Sequence, residues 1–135
     1  MDVKKKVVDQ ILKAETIVIS SHIRPDTDCV GSGLALYHCL NQIGKKVAFY
    51  NTDQASFPLT ALPGYDQIQF RQTYPEKFDL YILIEGGTET RTGQQHLESY
   101  RTINIDHHAA SVNDADLNWV EPDAAAVAVL VYELA

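Results

Sequence analysis

Short apolar runs alternate with stretches of helical character along most of this chain. The apolar runs are rich in β-branched and aromatic residues, which favours buried strands. They predict strands at residues 16–21, 45–50, 68–70, 79–84, 101–105 and 117–120. The stretches between and around them predict helices at residues 2–14, 30–43, 92–100 and 124–135. This alternation predicts an α/β fold with a mainly parallel β-sheet flanked by helices. A length of 135 residues fits one domain, residues 1–135.

Ionisable side chains follow three of the predicted strands. His22, Glu85 and Asp106 each come directly after a strand end. In sheets of this kind, ligands bind beyond the carboxyl ends of the strands. We therefore expect the three side chains to converge on one crevice.

The segment after the first strand concentrates possible metal donors. Pro25 disfavours helix at Arg24, so the chain must turn there. The turn can direct His22, Asp26 and Asp28 inward together. One imidazole and two carboxylates suit a hard divalent cation with nitrogen and oxygen ligands.

Two motifs carry a resemblance to a known family. Residues 22–32 read H-x-x-P-D-x-D-x-x-G-S, and residues 106–108 read D-H-H. Together and in this order they resemble the DHH phosphoesterase family. The resemblance implies the fold of that family's N-terminal domain and two metal ions, usually Mn²⁺. It also implies hydrolysis of phosphodiester or phosphoanhydride bonds by a water that the metal pair activates.

The resemblance divides the donors between the two ions. His22 and Asp26 would hold the first ion, while Asp28 and His107 would hold the second. The family's bridging aspartate corresponds to Glu85, so the resemblance makes this residue the shared ligand.

Glu85 departs from the family pattern in length. The downstream sequence Arg91-Thr92-Gly93 supports the register that places Glu85 at the bridging position. A glutamate is one methylene longer than an aspartate, which adds roughly 1.5 Å of reach. Three alternatives remain open at this point: Glu85 bridges both ions after local adjustment, it holds one ion only, or it merely ends the strand. We expect Glu85→Asp to improve metal binding.

The resemblance also implies contacts to the substrate. His108 would lie beside the substrate phosphate, and Asp106 would orient the site; these two are the catalytic candidates. Gly31 and Ser32, at the start of the second helix, and the two loop arginines are candidate phosphate contacts. The candidate arginines are Arg24 and Arg91. Helix–strand packing for the glycine–serine pair, and a solvated surface for the arginines, are the alternatives.

The net charge and the apolar content of the chain limit the classes of partner that it can bind. The net charge of −7 argues against duplex DNA, which needs a basic surface. It leaves room for a phosphate substrate, because bound cations reverse the local sign. No apolar run reaches the length of a membrane span, and a cytoplasmic protein is expected. The uniformly apolar residues 124–132 predict self-association through the last helix, or burial against a partner.

Several functions are compatible with this pattern. The first is a phosphoesterase domain that hydrolyses short oligonucleotides or cyclic dinucleotides. Members of the family continue to a fourth aspartate and a substrate-binding domain, and the resemblance implies that residues 1–135 contain neither. With Glu85, this predicts weak or no turnover by this chain alone. The alternatives are a non-catalytic nucleotide- or partner-binding domain, a truncated fragment, and an enzyme similar to inorganic pyrophosphatases.

Overall fold

The computed structural model describes residues 2–54, 58–71, 77–85, 93–94, 97, 100–107, 115–124, 126 and 134. Within these residues, two α-helices, α1 and α2, and six strands, β1 to β6, make up the main elements. Their bounds are α1 Val3–Lys13, β1 Thr16–Ser21, α2 Thr27–Gln42, β2 Lys46–Asn51, β3 Ile68–Phe70, β4 Leu80–Ile84, β5 Thr102–Asp106 and β6 Leu117–Val120. Two short 3₁₀ helices, Leu59–Ala61 and Tyr65–Gln67, lie between β2 and β3.

The six strands form one parallel sheet in the order β3-β2-β1-β4-β5-β6. This confirms the predicted α/β fold. All six predicted strands are present, and their ends differ from the predicted ones by at most one residue.

The strand order creates a crevice between β1 and β4. From β1 the chain adds β2 and β3 on one side, and then returns to add β4, β5 and β6 on the other. β1 and β4 are therefore neighbours, with Ser21 paired to Ile84 at their carboxyl ends. Connections leave these two ends in opposite directions, which is where open α/β sheets bind their ligands.

Apolar side chains cover both faces of the sheet. Ile17 and Ile82 belong to the larger cluster, which also contains the buried apolar residues of α1 and α2. Val18, one position after Ile17, and Tyr81, one position before Ile82, belong to a second cluster on the opposite face. This period of two is the strand signature. Burial on both faces explains why the strands read as continuous apolar runs rather than alternating ones.

Helix α2 begins three residues earlier than the sequence predicted. Asp26 is its N-cap, and the carboxylate of Asp26 accepts the amide of Cys29 at 2.9 Å. Asp28 therefore lies in the first turn of the helix. Gly31 and Ser32 lie in the second turn, so the prediction that they form the helix start was wrong. Their amides are past the first turn, whose N–H groups lack intrahelical partners.

An aspartate fixes the start of β4 against the start of β1. The carboxylate of Asp79 accepts the amides of Glu15 and Thr16, at 2.9 and 3.3 Å. In return, the amide of Asp79 donates to the hydroxyl of Thr16 at 2.9 Å. The two backbone hydrogen bonds lower the pKa of Asp79 below its ordinary value. These contacts fix the register of β1 and β4 at the start of both strands, and this register sets the site at their other ends.

Some sequence predictions fall outside the described residues. Most of the predicted helices 92–100 and 124–135 lie there, so self-association through the second of them stays a prediction. Among the described residues of these ranges, Gly93, Gln94, Ala124 and Ala126 are not helical, whereas Leu134 is. None of the described helices is long and apolar enough to cross a membrane. Cys29 and Cys39 both lie on α2 as free thiols, as their predicted spacing requires.

Candidate metal centre

The imidazole of His22 lies in the crevice, and the residue directly follows the end of β1. Its Nε2 lies 3.3 Å from Oε2 of Glu85 and 3.8 Å from Oδ2 of Asp26. Its Nδ1 is hydrogen-bonded to the carbonyl oxygen of Ile23. An imidazole that donates through Nδ1 presents its Nε2 lone pair to a ligand, which is the usual arrangement of a metal-binding histidine.

Glu85 enters the same crevice from the end of β4. Its carboxylate is 1% exposed, with Oε1 3.2 Å from Nε2 of His107 and Oε2 3.3 Å from Nε2 of His22. Each oxygen therefore faces a different histidine. The backbone of Glu85 has a φ of +59°, a conformation uncommon for residues other than glycine. Because this conformation departs from extended geometry, the chain turns sharply at the point where β4 ends.

Asp28 and His107 complete the other side of the crevice. Oδ2 of Asp28 lies 3.5 Å from Nε2 of His107. Nδ1 of His107 is 3.2 Å from the carbonyl oxygen of Ala124, so both histidines present Nε2 in the same way. The hydroxyl of Ser32 donates to Oδ1 of Asp28 at 3.4 Å. Ser32 is thus placed to orient a possible ligand.

These side chains form two overlapping donor groups. The first donor group consists of His22, Asp26, Cys29 and Glu85, whose ligand atoms lie within 4.8 Å of one another. The second donor group consists of Asp28, Glu85 and His107, and meets the same limit. Glu85 belongs to both groups. The structure therefore brings together all five predicted metal-ligand residues.

The electrostatics of the crevice favour a positive charge inside it. The thiol of Cys29, followed by the carboxylate of Glu85, raises the pKa of His22 to about 11. Burial raises the pKa of Glu85 above its ordinary value and outweighs the opposing effect of His22. The neighbouring Asp28 and Asp26 raise it further. A positive charge between the carboxylates, on an imidazole or on a bound cation, relieves this repulsion.

The spacing of Glu85 from the two histidines fits one ion in each group, while Asp26 and Asp28 lie slightly farther from the histidines, at 3.8 and 3.5 Å. Donors bonded to one ion at about 2.1 Å, with angles of 90–109°, lie roughly 3.0–3.4 Å apart. The separations of Glu85 from His22 and from His107, 3.3 and 3.2 Å, fall in this range. Imidazole nitrogens and carboxylate oxygens also suit a divalent metal of the Mn²⁺ type. The residues present therefore fit the metal pair that the motifs predict.

The two catalytic candidates, Asp106 and His108, are not among the residues of the two donor groups. Asp106 is the last residue of β5, and its buried carboxylate accepts the amide of His107 at 2.7 Å. This places Asp106 behind His107, where it fixes the backbone of that residue. His108 lies outside the described residues, so its role stays a prediction.

The structure describes three of the four predicted phosphate contacts, Arg24, Gly31 and Ser32. Arg24 has an exposed side chain and a φ of +53°, and its amide donates to Asp53 at 2.8 Å. Gly31 faces open space, since a Cβ built on it meets no atom within 4 Å. Arg91 lies outside the described residues. The roles of these residues in substrate binding stay predictions.

Sequence reasoning missed two contributors. Cys29 was interpreted only as a buried thiol, although it lies three residues after Asp26, on the first turn of the helix that Asp26 caps. Asn51 was not singled out. Its buried side-chain oxygen accepts the amide of Ser21 at 2.9 Å and so fixes the end of β1 just before His22. No signal in one sequence marks such a contact between strands.

Comparisons with known proteins bear on the family of this chain. A family model described as the DHH family, N-terminal domain, matches residues 16–135. The chain is 31% identical over 133 residues to the bifunctional oligoribonuclease and PAP phosphatase NrnA of Thermus thermophilus, covering 97% of this chain and 40% of that protein. It is 27% identical to the protein of the same name from Bacillus subtilis, covering 97% of this chain and 41% of that protein.

A solved structure has the same fold. The crystal structure of an exopolyphosphatase-related protein from Bacteroides fragilis superposes with a TM-score of 0.87 at 25% identity. The match covers 98% of this chain and 42% of that one. The chain thus spans about two fifths of the length of these relatives.

Proposed function

The chain belongs to the DHH family, and from this premise we propose that it is a metal-dependent phosphoesterase domain that acts on short oligonucleotides or related small phosphate esters. Two divalent cations, of which Mn²⁺ is the best candidate, would occupy the two donor groups. The first ion would be held by His22, Asp26 and Glu85, and the second by Glu85, Asp28 and His107.

The observation that carries the proposal is the position of the Glu85 carboxylate. One buried carboxylate with its two oxygens 3.3 and 3.2 Å from two different imidazoles is suited to a pair of ions that share a ligand. A buried carboxylate with a merely structural role needs one such partner. The raised pKa of Glu85 agrees with this, since burial makes its charge costly unless cations compensate it.

The charges of the crevice explain why cations are needed. The two donor groups contain three carboxylates, and a phosphate ester would add further negative charge. When bound, two divalent cations would neutralise the phosphate and activate a water for attack on phosphorus. The protein would contribute the fixed spacing. Ile23 and Ala124 orient the two imidazoles through their carbonyl oxygens, and Ser32 orients Asp28.

The proposed substrate class comes from the relatives. Two curated relatives are named as oligoribonucleases and PAP phosphatases, so small nucleotide esters are the first candidates. We expect slow turnover by residues 1–135 alone. The described donors are all assigned to the ions. Among the described residues, Arg24 is the arginine that the sequence predicts to contact the substrate phosphate, so few contacts would position the substrate.

The test combines metal binding with turnover. Calorimetry with Mn²⁺ should give two ions per chain. Concentrated protein with Mn²⁺ should slowly hydrolyse a dinucleotide, and a chelator should abolish this reaction. Asp28→Asn should remove the activity. The matched control is Asp66→Asn, a change of the same kind at an exposed position in a 3₁₀ helix.

Each remaining outcome selects an alternative. Mn²⁺ binding with no turnover of a dinucleotide, a cyclic dinucleotide or pyrophosphate would indicate a non-catalytic binding domain. Faster turnover of pyrophosphate than of the nucleotides would favour the pyrophosphatase-like alternative. A chain that binds no Mn²⁺ and hydrolyses nothing would overturn the proposal.

A further inference from the structure

The thiol of Cys29 lies inside the first donor group. Cys29 is fully buried, and its Sγ lies within 4.8 Å of ligand atoms of His22, Asp26 and Glu85. We propose that Cys29 is a thiolate ligand of the ion in this group, and that it gives this position a preference for thiophilic metals such as Zn²⁺ or Cd²⁺ over Mn²⁺. The inference rests on the proposed function, because it assumes that the first donor group holds an ion.

The start of α2 holds the sulfur in a suitable position. The amide of Asp26 donates to Sγ of Cys29 at 3.3 Å, while the carboxylate of Asp26 accepts the amide of Cys29. The sulfur is therefore fixed at the N-terminus of a 16-residue helix, where the helix dipole and a hydrogen-bond donor favour negative charge.

Binding of an ion by Cys29 would exchange the proton of its thiol for the metal. The thiol now points toward the carbonyl oxygen of Asp26, with Sγ 3.5 Å away from that oxygen. On binding, the S–H bond breaks, the sulfur–metal bond forms, and the proton leaves to solvent.

The two donor groups differ in chemistry because of this sulfur. The second donor group, Asp28, Glu85 and His107, offers oxygen and nitrogen atoms only. Thiolates select soft or borderline metals, whereas carboxylates suit hard ions such as Mn²⁺. The first position should therefore discriminate between metals in a way that the second position does not.

Cys29 also has a structural role that the test must separate from ligation. It closes a capping box with Asp26, with sulfur in the place of the usual glutamate or glutamine oxygen. A thiol that only caps the helix would change stability when removed. It would produce no signal between sulfur and metal.

The experiment uses the ultraviolet charge-transfer absorption of a thiolate bound to Cd²⁺. The chain offers a matched control, since Cys39 is the second cysteine of α2 and borders an apolar groove between α1 and α2. Wild type and Cys39→Ser should show the band at the intensity of one thiolate per chain, and Cys29→Ser should lack it. Cys29→Ser should bind Cd²⁺ at least tenfold more weakly, and its affinity for Cd²⁺ should fall by a larger factor than its affinity for Mn²⁺.

The outcomes separate this inference from the proposed function. Mn²⁺ and Cd²⁺ binding without a charge-transfer band in Cys39→Ser would overturn the role of Cys29 and leave the phosphoesterase proposal standing. Failure of the wild type to bind either metal would overturn both. If Cys29→Ser fails to fold, Cys39→Ser still decides, because Cys29 is then the sole thiol of the chain.

Discussion

Removing the charge of Glu85 should weaken both proposed metal positions at once. Glu85→Gln keeps the length of the side chain and replaces one carboxylate oxygen by an amide nitrogen. In the structure, the two oxygens lie 3.3 and 3.2 Å from His22 and His107, the spacing of donors that share an ion. The substitution therefore removes a negative charge that both ions would share.

The size of the effect follows from the position of Glu85 as a direct ligand. Loss of a residue that only supports a ligand typically costs about 10–100-fold in metal affinity. Loss of a shared, buried ligand should reach the upper end of that range at each position. A hundredfold loss corresponds to about 2.7 kcal/mol, at 1.36 kcal/mol for each factor of ten. Calorimetric titration with Mn²⁺ measures the affinity and the number of ions together.

The matched variants test the shared role. Asp28→Asn alters the second donor group only, so it should reduce the stoichiometry from two ions to one. Glu85→Asp draws the carboxylate back by roughly 1.5 Å from both imidazoles. The structure therefore predicts about tenfold weaker binding for Glu85→Asp, against the improvement expected from the sequence. Two ions bound by Glu85→Gln with affinities within threefold of wild type would refute this reasoning. One tight ion retained in Glu85→Gln would mean that Glu85 holds a single metal.

Two further predictions concern the frame of the site, and both are measured by thermal and denaturant unfolding. Gly33→Ala should destabilise the fold by about 1–3 kcal/mol, because the new Cβ would lie 2.5 Å from the fully buried ring of Phe49. In the control Gly31→Ala, the Cβ meets open space, so higher helix propensity should stabilise the fold by up to about 1 kcal/mol; equal effects of the two changes would contradict this account. Asp79→Asn should lower the melting temperature at pH 7. The pKa of Asp79 is lowered in the folded state, so its charge stabilises the fold above the unfolded pKa of about 3.9, and this contribution is lost as the pH falls toward the folded value. The difference between wild type and Asp79→Asn should therefore shrink below about pH 4, and a difference that is constant with pH would count against the interaction.

The fold was predictable because its determinants are local. Each buried strand is a short apolar run, and the alternation with helices admits few topologies. The start of α2 was missed for a specific reason. Asp26 and Asp28 were interpreted as loop donors, whereas Asp26 caps the helix and Asp28 lies on its first turn. A capping aspartate and a metal-binding aspartate have the same appearance in one sequence.

The sequence predicted that these candidate donors would lie close together, but it could not predict their geometry. The motifs name the donors, and the strand ends bring them together. The sequence could compare Glu85 with the family's aspartate only by side-chain length. The reach of a carboxylate also depends on the backbone that carries it, and a φ of +59° is a tertiary property. Cys29 illustrates the same limit, since its proximity to His22 depends on how α2 packs against β1.

The backbone at Glu85 connects the fold with the proposed chemistry. A residue in this conformation costs on the order of 1–3 kcal/mol unless its surroundings impose it. Here the amide of Glu85 donates to the carbonyl of Ile105 at 2.9 Å, which keeps the end of β4 attached to β5 while the chain turns. An extended residue would continue along the strand and carry its carboxylate away from β1. The turn instead keeps the carboxylate between His22 and His107. This position lies at the carboxyl ends of β1 and β4, where the strand order of the sheet reverses. Glu85 is common to both donor groups. A strained backbone is expected at such a residue when placing its carboxylate between the histidines matters more than continuing the extended strand.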